Sequence, residues 1–169
     1  MILPYIFTAA IMIISLLIQG HPSFDPIRVY GVKPDLVFIA VVYFGYSFNS
    51  FYGEVTGFIG GLFHDAVSDS PLGLLTLPKV IVGFLAGMLG RSVVRSNILT
   101  IFLLVGAATI VKGILTLLLA MVFDEGYVSD IMRIIIPETF YNAFLAPSLF
   151  FIYDKIFENE LDNTGGGYY

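Results

Sequence analysis

The sequence contains no cysteine, and few of its residues carry charge. Without cysteine, the chain has no disulfide framework and no thiolate metal site. Only 12% of the 169 residues are charged, whereas about 25% is usual for a soluble domain. The eight Lys and Arg residues form no basic run, which argues against nucleic acid binding because phosphate recognition needs clustered cations. These absences argue against nucleic acid binding and disfavour a soluble catalytic domain.

Apolar side chains are what the sequence has in excess. They make up 57% of the chain, and the mean hydropathy is +0.90. Apolar runs near the ~20 residues needed to cross a bilayer recur along the whole length. We therefore predict an all-α, polytopic membrane protein with about six transmembrane helices in one bundle over residues 1–157. The remaining residues, 158–169, are polar and glycine-rich and are predicted to be a disordered tail.

The six predicted spans are marked by turn and cap signals. The third span is short and glycine-rich, so a five-span arrangement is an alternative. The first span lacks the basic n-region of a signal peptide and is predicted to be an uncleaved helix. Pro34 and Asp35 mark the start of the second span, and Ser70 and Pro71 that of the fourth, because proline suits a first helical turn and Ser or Asp can cap it. Pro78 and Pro147 fall inside spans, where proline predicts a kink. The predicted spans are residues 3–19, 36–52, 54–67, 74–90, 98–123 and 131–153.

The distribution of cations predicts the orientation. Arg91, Arg95 and Lys155 lie on one face of a six-span protein, and Arg28 and Lys33 on the other. Since cytoplasmic loops carry the excess of Lys and Arg, both termini are predicted to be cytoplasmic.

Glycines spaced by four indicate close helix packing. Gly53, Gly57 and Gly61 form one stripe, and Gly83 and Gly87 repeat the spacing in the fourth span. In lipid, such glycines let two backbones approach closely. The partner backbone can be another helix of this chain or the transmembrane helix of a second protein, and the two roles are compatible.

The stretch "HDAVSDSPLG" places His64, Asp65 and Asp69 at the end of the third span. Adjacent residues on a helix do not face each other, and a metal site would need further ligands from elsewhere. Capping and ordering of the turn are therefore favoured over a metal site. No nucleophile–base pattern of a known hydrolase occurs in the sequence, so the protein is predicted not to be an enzyme and to need no cofactor.

Lys112 lies near the middle of the fifth span. An intramembrane charge marks a functional site by default, and its ammonium group needs a partner. If the sixth span runs antiparallel, Glu138 and Asn142 lie near its depth, whereas Glu54 is nearer the opposite interface. The three residues Lys112, Glu138 and Asn142 form either a structural pair that fixes helix register or a polar cavity for a small ligand. Lys79 and Arg133 are nearer the interfaces and are expected to snorkel.

Three stretches of the sequence are distinctive: "KPDLVFIAVVYFGY", "GFIGGLFHDAVSDSPLGLLTLPKVIVGFLAGMLGR" and "PETFYNAFLAPSLFFIYDKIF". Together they resemble the MreD family of bacterial rod shape-determining membrane proteins. The resemblance covers residues 33–157, and the chain departs from the family pattern at His64 and Asp69, where an apolar and a small residue are expected. The positions that match the pattern are Pro34, Asp35, Asp65, Ser70, Pro71, Gly73, Gly83, Gly87, Asn142, Ala143 and Pro147.

The resemblance implies a function without catalysis. MreD-like proteins accompany MreC, a single-span protein that bridges MreB filaments to peptidoglycan synthases such as RodA and its transpeptidase partner. It implies a small helical bundle in the bacterial cytoplasmic membrane, similar to the substrate-binding components of energy-coupling vitamin transporters. A scaffold that binds an MreC-like helix is thus the first hypothesis, and a vitamin-like ligand-binding transporter component is the alternative.

Overall fold

A computed structural model describes residues 3–21, 28, 31–68, 70–91, 97–123 and 126–163. Within these residues the chain forms seven helices, whose bounds are α1 Leu3–Gly20, α2 Leu36–Ser47, α3 Ser50–Val67, α4 Thr76–Leu89, α5 Ile98–Phe123, α6 Gly126–Ile156 and α7 Glu158–Asn163. By length and composition, residues Ile98–Val122 and Ile131–Ile156 are long and apolar enough to cross a membrane, and α2, α4 and most of α1 are shorter apolar helices. The predicted all-helical class is confirmed, and the architecture is consistent with a membrane bundle.

Helix α2 forms the centre of the bundle. It is apolar on all sides, and Val37 through Ser47 are all buried, as expected of a helix that is hydrophobic all round. At about 1.5 Å per residue its length is about 18 Å, which is less than the ~30 Å hydrocarbon core of a bilayer. Helices α3, α4, α5 and α6 pack around it, with α1 at one side. Both ends of α2 therefore lie inside protein.

The boundary between the second and third predicted spans is misplaced. Helix α2 ends at Ser47 and α3 begins at Ser50, because Asn49 adopts an extended backbone and its side chain accepts a hydrogen bond from Tyr52 N at 2.8 Å. This is an N-cap, which starts a new helix. The predicted third span, 54–67, is consequently a full helix of 18 residues, separate from its neighbour.

Proline positions also differ from the prediction. Helix α4 begins at Thr76, not at Pro71, and Pro78 lies in its first turn. The N–H groups of a first turn have no partner within the helix, so Pro78 breaks no helical hydrogen bond, and the predicted kink there is wrong. Pro137 and Pro147 do lie inside α6.

The tail predicted to be disordered begins with a helix. Residues Glu158–Asn163 form α7, and Leu161 is 2% exposed. Phe157, just before α7, is buried and packs edge-on against the ring of Phe44, with the two centroids 5.6 Å apart. These two apolar anchors hold a segment whose composition is otherwise polar. Residues 164–169 lie outside the described part of the chain.

Candidate functional site

Four buried charged side chains meet where α2 begins. Lys112 Nζ donates a hydrogen bond to Asp35 Oδ2 at 3.0 Å and another to Glu138. Lys79 Nζ forms an ion pair with the same Asp35 oxygen, also at 3.0 Å. The cluster contains two carboxylates and two ammonium groups, so its formal charge is balanced. We call Asp35, Lys79, Lys112 and Glu138 the charge cluster.

The position of Lys79 corrects the sequence prediction. It does not snorkel to an interface: the residue is 0% exposed, and its Nζ also lies 3.0 Å from His64 Nδ1. A sequence signal for this existed, because Lys79 continues the Gly83–Gly87 stripe by one step of four, and residues at that spacing share a helix face. That face packs against α3, so Lys79 points into protein.

The start of α2 explains why the cluster forms there. A helix N-terminus has backbone N–H groups without intrahelical partners, and here Asp35 and Val37 at that terminus are buried in the bundle. Asp35 accepts from Phe38 N at 2.9 Å, Gln19 of α1 accepts from Val37 N at 3.2 Å, and Asn142 of α6 accepts from Asp35 N at 2.9 Å. Asn142, predicted beside Lys112, thus supports the cluster through the α2 cap.

The geometry determines what the cluster can do. Within the described residues, no buried side-chain nitrogen or oxygen atom lacks a hydrogen-bond partner. Breaking one partner of such a network leaves an uncompensated buried charge. The cluster therefore joins α2, α4, α5 and α6 at one depth. Of the three residues predicted to lie together, Lys112 and Glu138 bond to each other, whereas Asn142 bonds to Asp35 N and to Thr109.

Asp65 caps the neighbouring helix α4 across a turn. Its two carboxylate oxygens accept from Gly73 N at 2.8 Å, Leu75 N at 2.9 Å and Thr76 N at 3.2 Å, and from Thr76 Oγ1 at 2.5 Å. The α4 N-cap position, Leu75, has no capping side chain of its own. One buried carboxylate therefore satisfies the donors that α4 leaves open.

We expect Asp65→Ala to destabilise the protein by about 2–4 kcal/mol, because it unpairs the two buried donors of Thr76, and a buried donor left unpaired costs about 1–3 kcal/mol. The matched control is Asn49→Ala, which removes a cap with one exposed hydrogen bond and should cost about 1 kcal/mol. Unfolding of both variants in detergent measures the difference. Equal losses would show that Asp65 is an ordinary cap.

The glycine stripes lie between α3 and α4. A Cβ at Gly57 would lie 2.6 Å from the Lys79 carbonyl oxygen, and one at Gly61 would lie 2.5 Å from Thr76 Cα. Gly53 meets the backbone of Gly83 in the same way, and Gly87 meets that of Ser50. The stripes therefore pack against helices of this chain, and their contact with a partner's helix stays a prediction.

The remaining motif positions surround these contacts. Gly73 has a φ of +98°, a conformation that favours glycine, in the turn that Asp65 orders. Ser70 Oγ lies 2.7 Å from Ser68 Oγ, and Pro71 O accepts from Leu74 N at 3.1 Å. Ala143 is buried opposite Gly106. Pro34 directly precedes the α2 cap, and Asp69 lies outside the described residues.

A second buried ion pair lies at the opposite end of the bundle. Arg91 pairs with Asp154, and Tyr43 OH donates to the same carboxylate at 3.0 Å. The Arg91 guanidinium also donates to Ser47 Oγ at 3.0 Å. From the sequence, Arg91 is predicted only to be a loop cation, because its partner is distant in sequence and lies in an apolar helix.

An open apolar groove runs between α1 and α3. Its volume is about 430 Å³, about three times that of the groove of about 140 Å³ between α4 and α5. None of the charge-cluster residues lines it. The side chains that line the wider groove are Thr8, Ala9, Met12, Ile13, Leu16, Asn49, Phe51, Tyr52, Val55, Thr56, Ile59 and Phe63. We call this the α1–α3 groove.

These features define a helical membrane protein whose interior is closed by ion pairs and close backbone contacts. Among the described residues, no group of three His, Asp or Glu side chains is placed to hold a metal ion. The sequence matches the family described as rod shape-determining protein MreD over residues 1–159. The chain belongs to the MreD family, whose members are rod-shape membrane proteins not known as enzymes. No curated protein and no solved structure gives a significant match.

Proposed function

We propose that this chain is a non-catalytic scaffold of the bacterial elongation machinery that holds the transmembrane helix of an MreC-like partner. In this role it helps couple MreB filaments to peptidoglycan synthesis by RodA and its transpeptidase. Membership of the MreD family supports the role in rod shape. The α1–α3 groove is the observation that supports the binding of a partner helix.

The groove has the form that a third helix needs. Thr8 of α1 lies beside Tyr52 of α3, with their side-chain oxygens 2.9 Å apart, and Leu16 and Phe63 line the groove further along the same two helices. The two helices therefore run in the same direction and form parallel walls. Since lipid supplies no hydrophobic drive between helices, association depends on van der Waals packing. A shaped apolar groove provides that packing.

Site-specific photo-crosslinking in native membranes tests this assignment. Ile13 is 54% exposed on the wall of the groove, and Leu118 of α5, a helix that packs against α4 and α6, is 56% exposed. A photoreactive residue at position 13 is expected to label a single-span protein with a large extracellular domain, and one at position 118 is not. Labelling of that protein from Leu118 and not from Ile13 would place the docking face elsewhere.

The alternative function is binding of a small vitamin-like molecule. The geometry does not favour it, because Lys112 and Glu138 bond to each other and Asn142 bonds to the α2 cap. Native mass spectrometry of gently purified protein separates the two functions. A protein partner in defined ratio supports the scaffold, whereas a stoichiometric mass of a few hundred daltons without a protein partner supports ligand binding.

A further inference from the structure

His64 lies at the exposed edge of the charge cluster. Its side chain is 27% exposed, whereas that of Lys79 behind it is 0% exposed. His64 Nδ1 lies 3.0 Å from Lys79 Nζ and 4.0 Å from Asp35 Oδ1. His64 thus lies between the buried charges and the end of α3.

The contact with Lys79 fixes the tautomer of the ring. An ammonium group has three donors and no acceptor, and a neutral imidazole has one nitrogen of each kind. His64 Nδ1 must therefore accept the hydrogen bond, and the ring proton sits on Nε2. A protonated ring has two donors, so it cannot keep this contact.

We propose that His64 is a proton-operated latch that closes the charge cluster when neutral and opens it when protonated. The proposal goes beyond the scaffold function and does not depend on it. When the ring gains a proton, its Nδ1–H faces the Lys79 ammonium group, and a hydrogen bond becomes a contact between like charges. Lys79 has no exposed surface and is held by Asp35, so the imidazolium is the group that moves toward water.

The other charged groups around His64 do not reverse this result. Coulomb energy falls with distance, so repulsion from Lys79 at 3.0 Å outweighs attraction to Asp35 at 4.0 Å. Asp65, the next residue on α3, attracts an imidazolium, but adjacent residues on a helix do not face each other, and its carboxylate is turned toward the donors at the start of α4. Lys112 of α5 adds repulsion, and Glu138 of α6 is bound to Lys112. Protonation is therefore expected to loosen the contact of α3 with α4 and the start of α2.

Nuclear magnetic resonance of the full-length protein labelled with ¹⁵N-histidine gives the first test. The chain has two histidines, and His21 is exposed, so it serves as an internal reference. At neutral pH, His64 is expected to show an unprotonated Nδ1 and a protonated Nε2. A protonated Nδ1 at neutral pH would overturn the proposal, because the Lys79 contact would then be absent.

The pH dependence of thermal unfolding gives the second test, with two variants. His64→Gln keeps a neutral acceptor for Lys79, and His64→Leu removes the acceptor. Between pH 8 and pH 4, the melting temperature of the wild type is expected to fall by about 2–4 °C more than that of His64→Gln, a shift of that size corresponding to one modest interaction in a protein of this length. His64→Leu is expected to melt below His64→Gln at neutral pH. The same acid response in the wild type and His64→Gln would overturn the latch, whether or not His64→Leu folds.

Discussion

Replacing Lys112 by methionine is expected to lower the free energy of unfolding by about 3–5 kcal/mol, the usual cost of removing one partner from a buried ion pair. Methionine preserves the length and most of the volume of the side chain, so packing changes little. Glu138 loses its ammonium partner, and Asp35 keeps one of its two ammonium partners, Lys79. The loss therefore reports the uncompensated charge of Glu138. Titration with denaturant in detergent micelles measures it.

A double-mutant cycle separates charge from packing in this experiment. Glu138→Gln alone leaves Lys112 with Asp35, whereas the double variant with Lys112→Met again has a balanced charge. We expect the double variant to lose less stability than the sum of the single losses, since contacting residues couple by about 0.5–3 kcal/mol. Lys155→Met is the matched control: Lys155 is exposed, and surface changes stay within about 0.5 kcal/mol. Additive losses would show that Lys112 and Glu138 act separately.

The pair Lys112 and Glu138 could be predicted from the sequence, whereas the burial of Asp35 beside it could not. Lys112 is conspicuous because it interrupts a long apolar run, and an antiparallel sixth helix places Glu138 near its depth. Asp35 sits at a predicted helix start, where a cap at the membrane surface is the ordinary expectation. Its burial follows from the shortness of α2, whose first residue lies inside the bundle. No local sequence pattern shows how deep inside the bundle the first turn of a helix lies.

The helices themselves were predictable where turn residues interrupt the apolar runs. The start of α5 was predicted correctly, and the boundary near Asn49 was not, because the apolar pattern continues through that turn and only one capping side chain marks it. Helix α7 was missed for the opposite reason. Its polar composition predicts disorder, whereas two anchors, Phe157 and Leu161, pack on the aromatic core.

Substituting Gly57 by alanine is expected to be among the most damaging single-methyl changes in the chain. The new Cβ would lie 2.6 Å from the Lys79 carbonyl oxygen and 3.0 Å from Val80 Cα. Both are backbone atoms, so the methyl group fits only if α3 and α4 separate. Overpacking of a core ordinarily costs about 1–3 kcal/mol, and a forced backbone shift is expected to reach the upper part of that range. Separation would also disturb Lys79, and with it the charge cluster.

Gly106→Ala is the matched control, because it adds the same methyl group to another helix interface. Its Cβ would lie 3.6 Å from that of Ala143, an ordinary van der Waals contact. Alanine favours a helix over glycine by about 0.5–1 kcal/mol, so this variant is expected to be as stable as the wild type or slightly more stable. Melting temperatures in detergent should therefore fall for Gly57→Ala and not for Gly106→Ala.

If Gly57→Ala keeps the wild-type melting temperature, the α3–α4 contact is looser than the structure shows, and its glycine stripe becomes available to a partner. If the melting temperature falls, loss of a partner in that variant reports damage to the bundle, and the docking face must be mapped from the α1–α3 groove.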